Sequence, residues 1–126
     1  MADNIKKYNQ KIGRWGENLA QSYLERQGYC LIENNARTPY GELDLIMQGK
    51  AGLIVVEVKT RTGESFGLPE VSINSRKKLH LKQSAEAYFL AHPELGSDWR
   101  IDVIAIQGKP SQPENVQIEW FENAVS

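Results

Sequence analysis

The sequence predicts an α/β fold in which a mixed sheet is flanked by helices. Three observations predict it. An amphipathic helical pattern opens the chain, with Ile12, Trp15, Leu19, Ala20, Tyr23 and Leu24 at i, i+3, i+4 spacing. The stretch GELDLIMQGKAGLIVVEVKTR, Gly41 to Arg61, then reads as two antiparallel strands around a glycine-containing turn. A second helical pattern leads to WRIDVIAI, a nearly unbroken apolar run that suits a strand buried on both faces. A strand–helix–strand unit from Leu53 to Ile106 makes this last strand parallel to the second hairpin strand, with a right-handed crossover.

The first helix is expected from about Tyr8 to Gln27, with Gly28 as its C-cap. Gly13 and Gly16 lie near its apolar stripe and would let it approach a sheet closely. Glu17 flanks that stripe on the Leu24 side, and spacing alone leaves it a solvated boundary residue. Tyr29 to Asn34 reads as a strand, and Asn35 to Gly41 as a turn-rich connector. In the hairpin, Glu42 and Asp44 share one face, and Leu43, Leu45 and Met47 the other. Glu57, Lys59 and Arg61 share a face opposite Ile54, Val56 and Val58. Arg61 to Asn74 is expected to be a loop whose Phe66, Leu68 and Val71 form either a partner surface or a flap on the domain. Ser75 to His92 is the second helix, with Ser75 as N-cap, Leu81, Ala85, Tyr88 and Phe89 as buried stripe, Leu79 and Leu90 on the far side, and Pro93 closing it. Trp99 to Ile106 is the buried strand, Gly108 to Asn115 a polar linker, and Val116 to Phe121 an edge strand.

The 126 residues fit one domain, 1–126, with a core over about 8–121. One cysteine, Cys30, excludes an internal disulfide and suits a reducing compartment; with only His80 and His92 beside it, no structural zinc site is expected. The longest apolar run, Leu53 to Val56, is too short to span a membrane, and MADNIKKYNQKIG lacks the apolar run of a secretory signal. The expectation is a cytoplasmic protein with no membrane partner. Net charge is −1, which by itself argues mildly against a nucleic-acid partner. Its distribution points the other way. From Val58 to Lys82 six basic residues stand against two acidic ones, and the first fourteen residues carry Lys6, Lys7, Lys11 and Arg14 against Asp3. A near-neutral chain can therefore present one basic surface. Arg61, Arg76, Lys77 and Lys78 are the candidates for phosphate contact. Cations on the first turn of a helix want an anion nearby.

The hairpin holds the candidate chemistry. With Gln48 opposite Leu53, Gly49-Lys50-Ala51-Gly52 is a four-residue loop, Asp44 faces Glu57 and Glu42 faces Lys59. Opposite side chains on one face stand about 5 Å apart. Two carboxylates at that distance repel unless a cation lies between them or one is protonated. Asp44, Glu57 and the Val58 backbone carbonyl are hard oxygen ligands suited to Mg²⁺ or Mn²⁺. Lys59 could orient water or stabilise charge on a phosphate, Glu42 could hold Lys59 as a cross-strand ion pair, and Glu17 could add an outer carboxylate. The bland alternative is a wet sheet face with nothing bound.

Taken together, GRWGENLAQSYLERQGY, NNARTPYGELDLI, LIVVEVKTR and WRIDVIAI resemble the YraN-type family of small bacterial proteins. That family is similar in fold to archaeal Holliday junction resolvases and to restriction endonucleases of the PD-(D/E)xK type. The resemblance runs from Gly13 to Ile106. It implies a restriction-endonuclease-like α-β-β-β-α-β core and a metal-dependent nuclease acting on DNA, at branched or damaged sites. Residue by residue, Asp44 matches the motif aspartate, Glu57 and Lys59 the (D/E)xK pair, Glu17 the helix glutamate, and Lys77 a helix lysine near the substrate path. Leu43, not proline, precedes Asp44. The likeness to junction resolvases also implies a homodimer. Two other readings remain: a nucleic-acid-binding module of the same fold without turnover, and a protein-interaction domain working through the loop around Phe66 to Val71.

Overall fold

The structure, a computed structural model, describes residues 2–63 and 73–126. The apolar loop positions Phe66, Leu68 and Val71 lie outside the described residues. Helix α1 (Ala2–Arg26) precedes strands β1 (Cys30–Thr38), β2 (Gly41–Gly49) and β3 (Gly52–Arg61). Helix α2 (Ser75–Ala91), β4 (Trp99–Gln107) and β5 (Gln117–Val125) follow, with short 3-10 turns at Pro93–Leu95 and Pro113–Asn115. Among the described residues the strands form one sheet in the order β1-β2-β3-β4-β5. Its neighbours are antiparallel except β3 and β4, which run parallel across the α2 crossover. This is the expected α-β-β-β-α-β order on a mixed sheet, with β5 as the added edge strand. Among the described residues no helix is long and apolar enough to cross a membrane.

The two helices cover opposite faces, and alternation in β3 decides which residue meets which. Leu53 and Val55 pack with Leu81, Ala85, Tyr88 and Phe89 of α2. Ile54 and Val56 pack with Ala20 and Leu24 of α1. Leu79 and Leu90 of α2 point to solvent, as the imperfect stripe implied. Two glycines fix the seat of α1. Gly28 has φ +95, and Tyr29 N–H donates to Leu24 O while Gly28 N–H donates to Glu25 O, a Schellman ending that only a left-handed residue completes. A Cβ at Gly16 would collide with the Thr60 side chain, so this glycine is what lets α1 lie directly on β3. Gly13 has no such neighbour within 4 Å and does not serve close packing.

Several boundaries differ from the expectation. α1 starts at Ala2 because its first turns contain no Pro or Gly and carry Asp3 at the positive end, although Ile5 and Tyr8 remain exposed. Apolar periodicity does not register such a stretch. β1 runs on to Thr38, and the turn is only Pro39-Tyr40. There Thr38 Oγ1 donates to Gly41 O at 2.8 Å and accepts from Tyr40 N–H at 3.1 Å. An edge strand tolerates polar residues such as Asn34 and Asn35 because its outer side is solvated. Gly49 pairs with Gly52, so the hairpin loop shrinks to Lys50-Ala51. Asn74, not Ser75, caps α2, its side chain accepting from Lys77 N–H at 2.8 Å. β5 extends to Val125, past the expected end at Phe121.

Replacing Gly16 by Val would force α1 away from Thr60. The expected loss is about 1–3 kcal/mol, as for other overpacked sites, read as a lower urea midpoint with an unchanged slope.

Candidate functional site

The register of β2 on β3 is the one read from the sequence, with Gln48 opposite Leu53. The regular ladder stops at Leu45–Val56, one step short of Asp44 and Glu57. The face alternation of β2 also breaks there. Leu43 packs on the α2 side, whereas Leu45 and Met47 pack on the α1 side, so the three do not share one face as expected. Asn35, on the neighbouring strand, has φ +48. The local distortion turns Asp44 towards β3, where its Oδ2 accepts from Val58 N–H at 2.8 Å. An extended residue presents its N–H and C=O to the same side, so the Val58 carbonyl also faces the opening.

Glu57 lies on the α2 face and is only 7% exposed. Its Oε1 meets Lys77 Nζ at 3.6 Å and Lys59 Nζ at 4.0 Å. Its Oε2 is buried without a hydrogen-bond partner among the described residues. Burial, and next the charge on Asp44, push the Glu57 carboxyl up to about 7, against the pull of Lys77 and Lys59. Burial also raises Asp44, opposed chiefly by the Val58 N–H bond and the Lys77 charge. The expected Glu42–Lys59 ion pair does not form: Lys59 turns to Glu57, two residues earlier on the same face of its own strand. Lys77, expected to meet phosphate, instead finds its anion in Glu57. Arg61, Arg76 and Lys78 are exposed.

Glu17 approaches from the α1 side. It is half-buried, and Asn35 Nδ2 donates to its Oε1 at 3.0 Å. Burial raises its pKa, the Asn35 bond opposes, and the charges of Asp44 and Glu42 raise it further. Asp44 is thus the residue felt by both other carboxylates, Glu57 on one side and Glu17 on the other. Among the described residues no three or more His, Cys, Asp or Glu side chains close into a metal cage. The donors on hand are the two carboxylates and the Val58 carbonyl. Asn35 was hidden in the sequence by the turn-rich reading of its segment; an asparagine inside a strand pattern, able to adopt positive φ, was the available signal.

A family profile matches residues 16–106, from Gly16 to Ile106. The chain belongs to the Uncharacterised protein family UPF0102. The matched span contains Glu17, Asp44, Glu57, Lys59 and Lys77. A UPF0102 protein of Dehalococcoides mccartyi is 40% identical over 119 residues, covering 94% of this chain and 96% of its own. Another, of Syntrophotalea carbinolica, is 40% identical over 114 residues, covering 90% of this chain and 89% of its own. The structure of Pyrococcus furiosus SfsA in complex with Ca²⁺ overlaps with a TM-score of 0.43 at 15% identity, over 90% of this chain and 64% of that one.

The raised Glu57 sets a pH dependence. A proton binds Glu57 more tightly in the folded protein than at the ordinary value of 4.5, so folding stability falls as pH rises from about 4.5 to about 7. In Glu57→Gln this decline should flatten. The substitution is expected to raise the denaturation midpoint at pH 8 and to leave it little changed at pH 4, measured by urea titration in metal-free buffer.

Proposed function

We propose that this protein is a metal-dependent endonuclease that hydrolyses DNA phosphodiester bonds at branched or damaged sites. One observation carries the reading: Asp44 and Glu57 come together where the β2–β3 ladder opens, and Glu57 Oε2 is buried there with no partner among the described residues. A buried orphan oxygen beside a second carboxylate is costly in the free protein, and a divalent cation relieves it. The donor set is all hard oxygen and fits Mg²⁺ or Mn²⁺, with Asp44, Glu57 and the Val58 carbonyl as the holders. When bound, such an ion supplies a Lewis acid that polarises the phosphodiester and acidifies water.

The chain's own groups do the rest. Val58 N–H holds Asp44 through Oδ2, and Asp44 would be one of the groups that hold the ion. Lys59 stands beside Glu57 and is positioned to orient the attacking water and to offset charge on the phosphate as it builds. Lys77 pairs with Glu57 in the free protein; with a cation held by that carboxylate, its ammonium would be available to the nucleic-acid backbone. Glu17 supports the arrangement through Asp44. Arg61, Arg76 and Lys78, exposed on the same basic segment, hold phosphates away from the scissile bond. The likeness to junction resolvases supports branched DNA and a homodimer.

A second reading is a nucleic-acid-binding module without turnover. It is favoured by one observation, that two lysines already meet Oε1 of Glu57.

The assay is incubation with branched, nicked and intact duplex DNA in Mg²⁺ or Mn²⁺. Wild type is expected to cut, Asp44→Ala to abolish cutting, and Lys59→Ala to slow it by about 100- to 1,000-fold. If nothing is cut, yet binding weakens with salt and Arg76→Ala or Lys78→Ala each lowers the salt slope by about 1, the binding-module reading takes its place.

A further inference from the structure

Between the first half of α1 and the last residues of β3 lies an open cleft of about 390 Å³. Glu17, Val58 and Lys59 line it, so it borders the candidate site on its α1 side. Tyr8 stands at it as a half-exposed aromatic ring, and Thr60 and Thr62 add hydroxyl groups. Gly13 also lines it, and no atom lies within 4 Å of where a Cβ would stand. A glycine inside a helix weakens that helix relative to alanine. At Gly16 the reason is Thr60 pressing against it; at Gly13 packing supplies none. The space beside Gly13, open among the described residues, belongs to the cleft.

We propose that this cleft is a subsite for one unpaired DNA nucleotide, seated beside Glu17 on the α1 side of the candidate site so that the adjoining phosphodiester lies towards Lys59. The volume is at the low end of pockets that hold small ligands. It suits one base and its sugar, not a base pair with both backbones. Tyr8 supplies the stacking face that an unpaired base seeks and that a base inside a duplex already has from its neighbours. Threonine hydroxyls serve base or sugar edges, and the Lys59 ammonium serves the phosphate. The substrate class is then DNA with an unpaired nucleotide at the cleavage site, such as a flap, a bulge or a frayed branch, in preference to intact duplex. The inference rests on the nuclease reading for its scissile bond, but its binding claim can be tested without cleavage.

The test is equilibrium binding in EDTA, by fluorescence anisotropy, of a blunt DNA hairpin and of the same hairpin carrying a thymidine tail. Wild type is expected to bind the tailed form about tenfold more tightly. Tyr8→Ala and Gly13→Leu should remove that preference and leave the affinity for the blunt hairpin unchanged. Gly13→Ala should raise the melting temperature by a few degrees while reducing the preference, the signature of a glycine retained for room and not for stability. Equal affinity for the two hairpins, or an equal loss on both in Tyr8→Ala, overturns the subsite. Tail preference without any metal-dependent cutting supports the subsite and ends the nuclease reading; cutting without tail preference does the reverse.

Discussion

Glu57 sits on the middle strand of the sheet, with a paired strand on each side and α2 over its face. In that position a carboxylate loses most of its hydration, and the loss is not made good by hydrogen bonds, because Oε2 has none among the described residues. Asp44 adds a second negative charge across the opened ladder. At Glu57 the compensation comes from the lysines that reach it, while Asp44 is held by the Val58 N–H. Lys59 comes from the same strand. Lys77 comes from α2, and it reaches Glu57 because two other features place the start of that helix. The stripe of Leu81, Ala85, Tyr88 and Phe89 seats the helix on Leu53 and Val55, and the Asn74 cap fixes where its first turn begins.

A comparison inside the same molecule makes Glu57 stand out. Asp102 is also fully buried, at the bulge where β4 meets β5. Its oxygens accept from Arg100 Nε and Nη2, from Trp120 Nε1 at 2.9 Å and from Asn123 N–H at 2.8 Å. Every demand of that carboxylate is met from within the chain, which is what a structural buried charge requires. Gln107 is an intermediate case: its Nε2 donates to Gly63 O, and its Oε1 has no partner among the described residues. The sequence thus satisfies a buried carboxylate on β4 and leaves one half-satisfied on the neighbouring strand β3, where Val56, the residue before Glu57, pairs with Asp102.

Asp44 is the seam between the two faces of the sheet. Regular pairing ends just before it, the side-chain alternation changes phase across it, and its charge is felt by Glu57 from the α2 side and by Glu17 from the α1 side. Glu17 is near enough to matter because Gly16, its neighbour, allows α1 to touch β3 at Thr60. Close packing at Gly16 and open space at Gly13, one helical turn apart, produce a firm contact and a cleft on the same helix face.

The sequence by itself determined the parts that repeat along the chain. Alternation in LIVVEVKTR placed Glu57 and Lys59 on one face, the glycine-bounded turn set the hairpin register that sends Asp44 towards Glu57, and the continuous apolar run of WRIDVIAI required a central parallel strand beneath a crossover helix. These follow from side-chain period and strand pairing, which are local and readable from spacing. Tertiary structure alone decided that Lys59 pairs with Glu57 and not Glu42, that Lys77 closes on the same carboxylate from a separate helix, that Asn35 holds Glu17, and that Leu43 leaves the face of Leu45. Each of those depends on where one element docks against another or on a break in the period at a single residue. Docking is set by how whole surfaces fit, and no pattern along one segment encodes the position of the other.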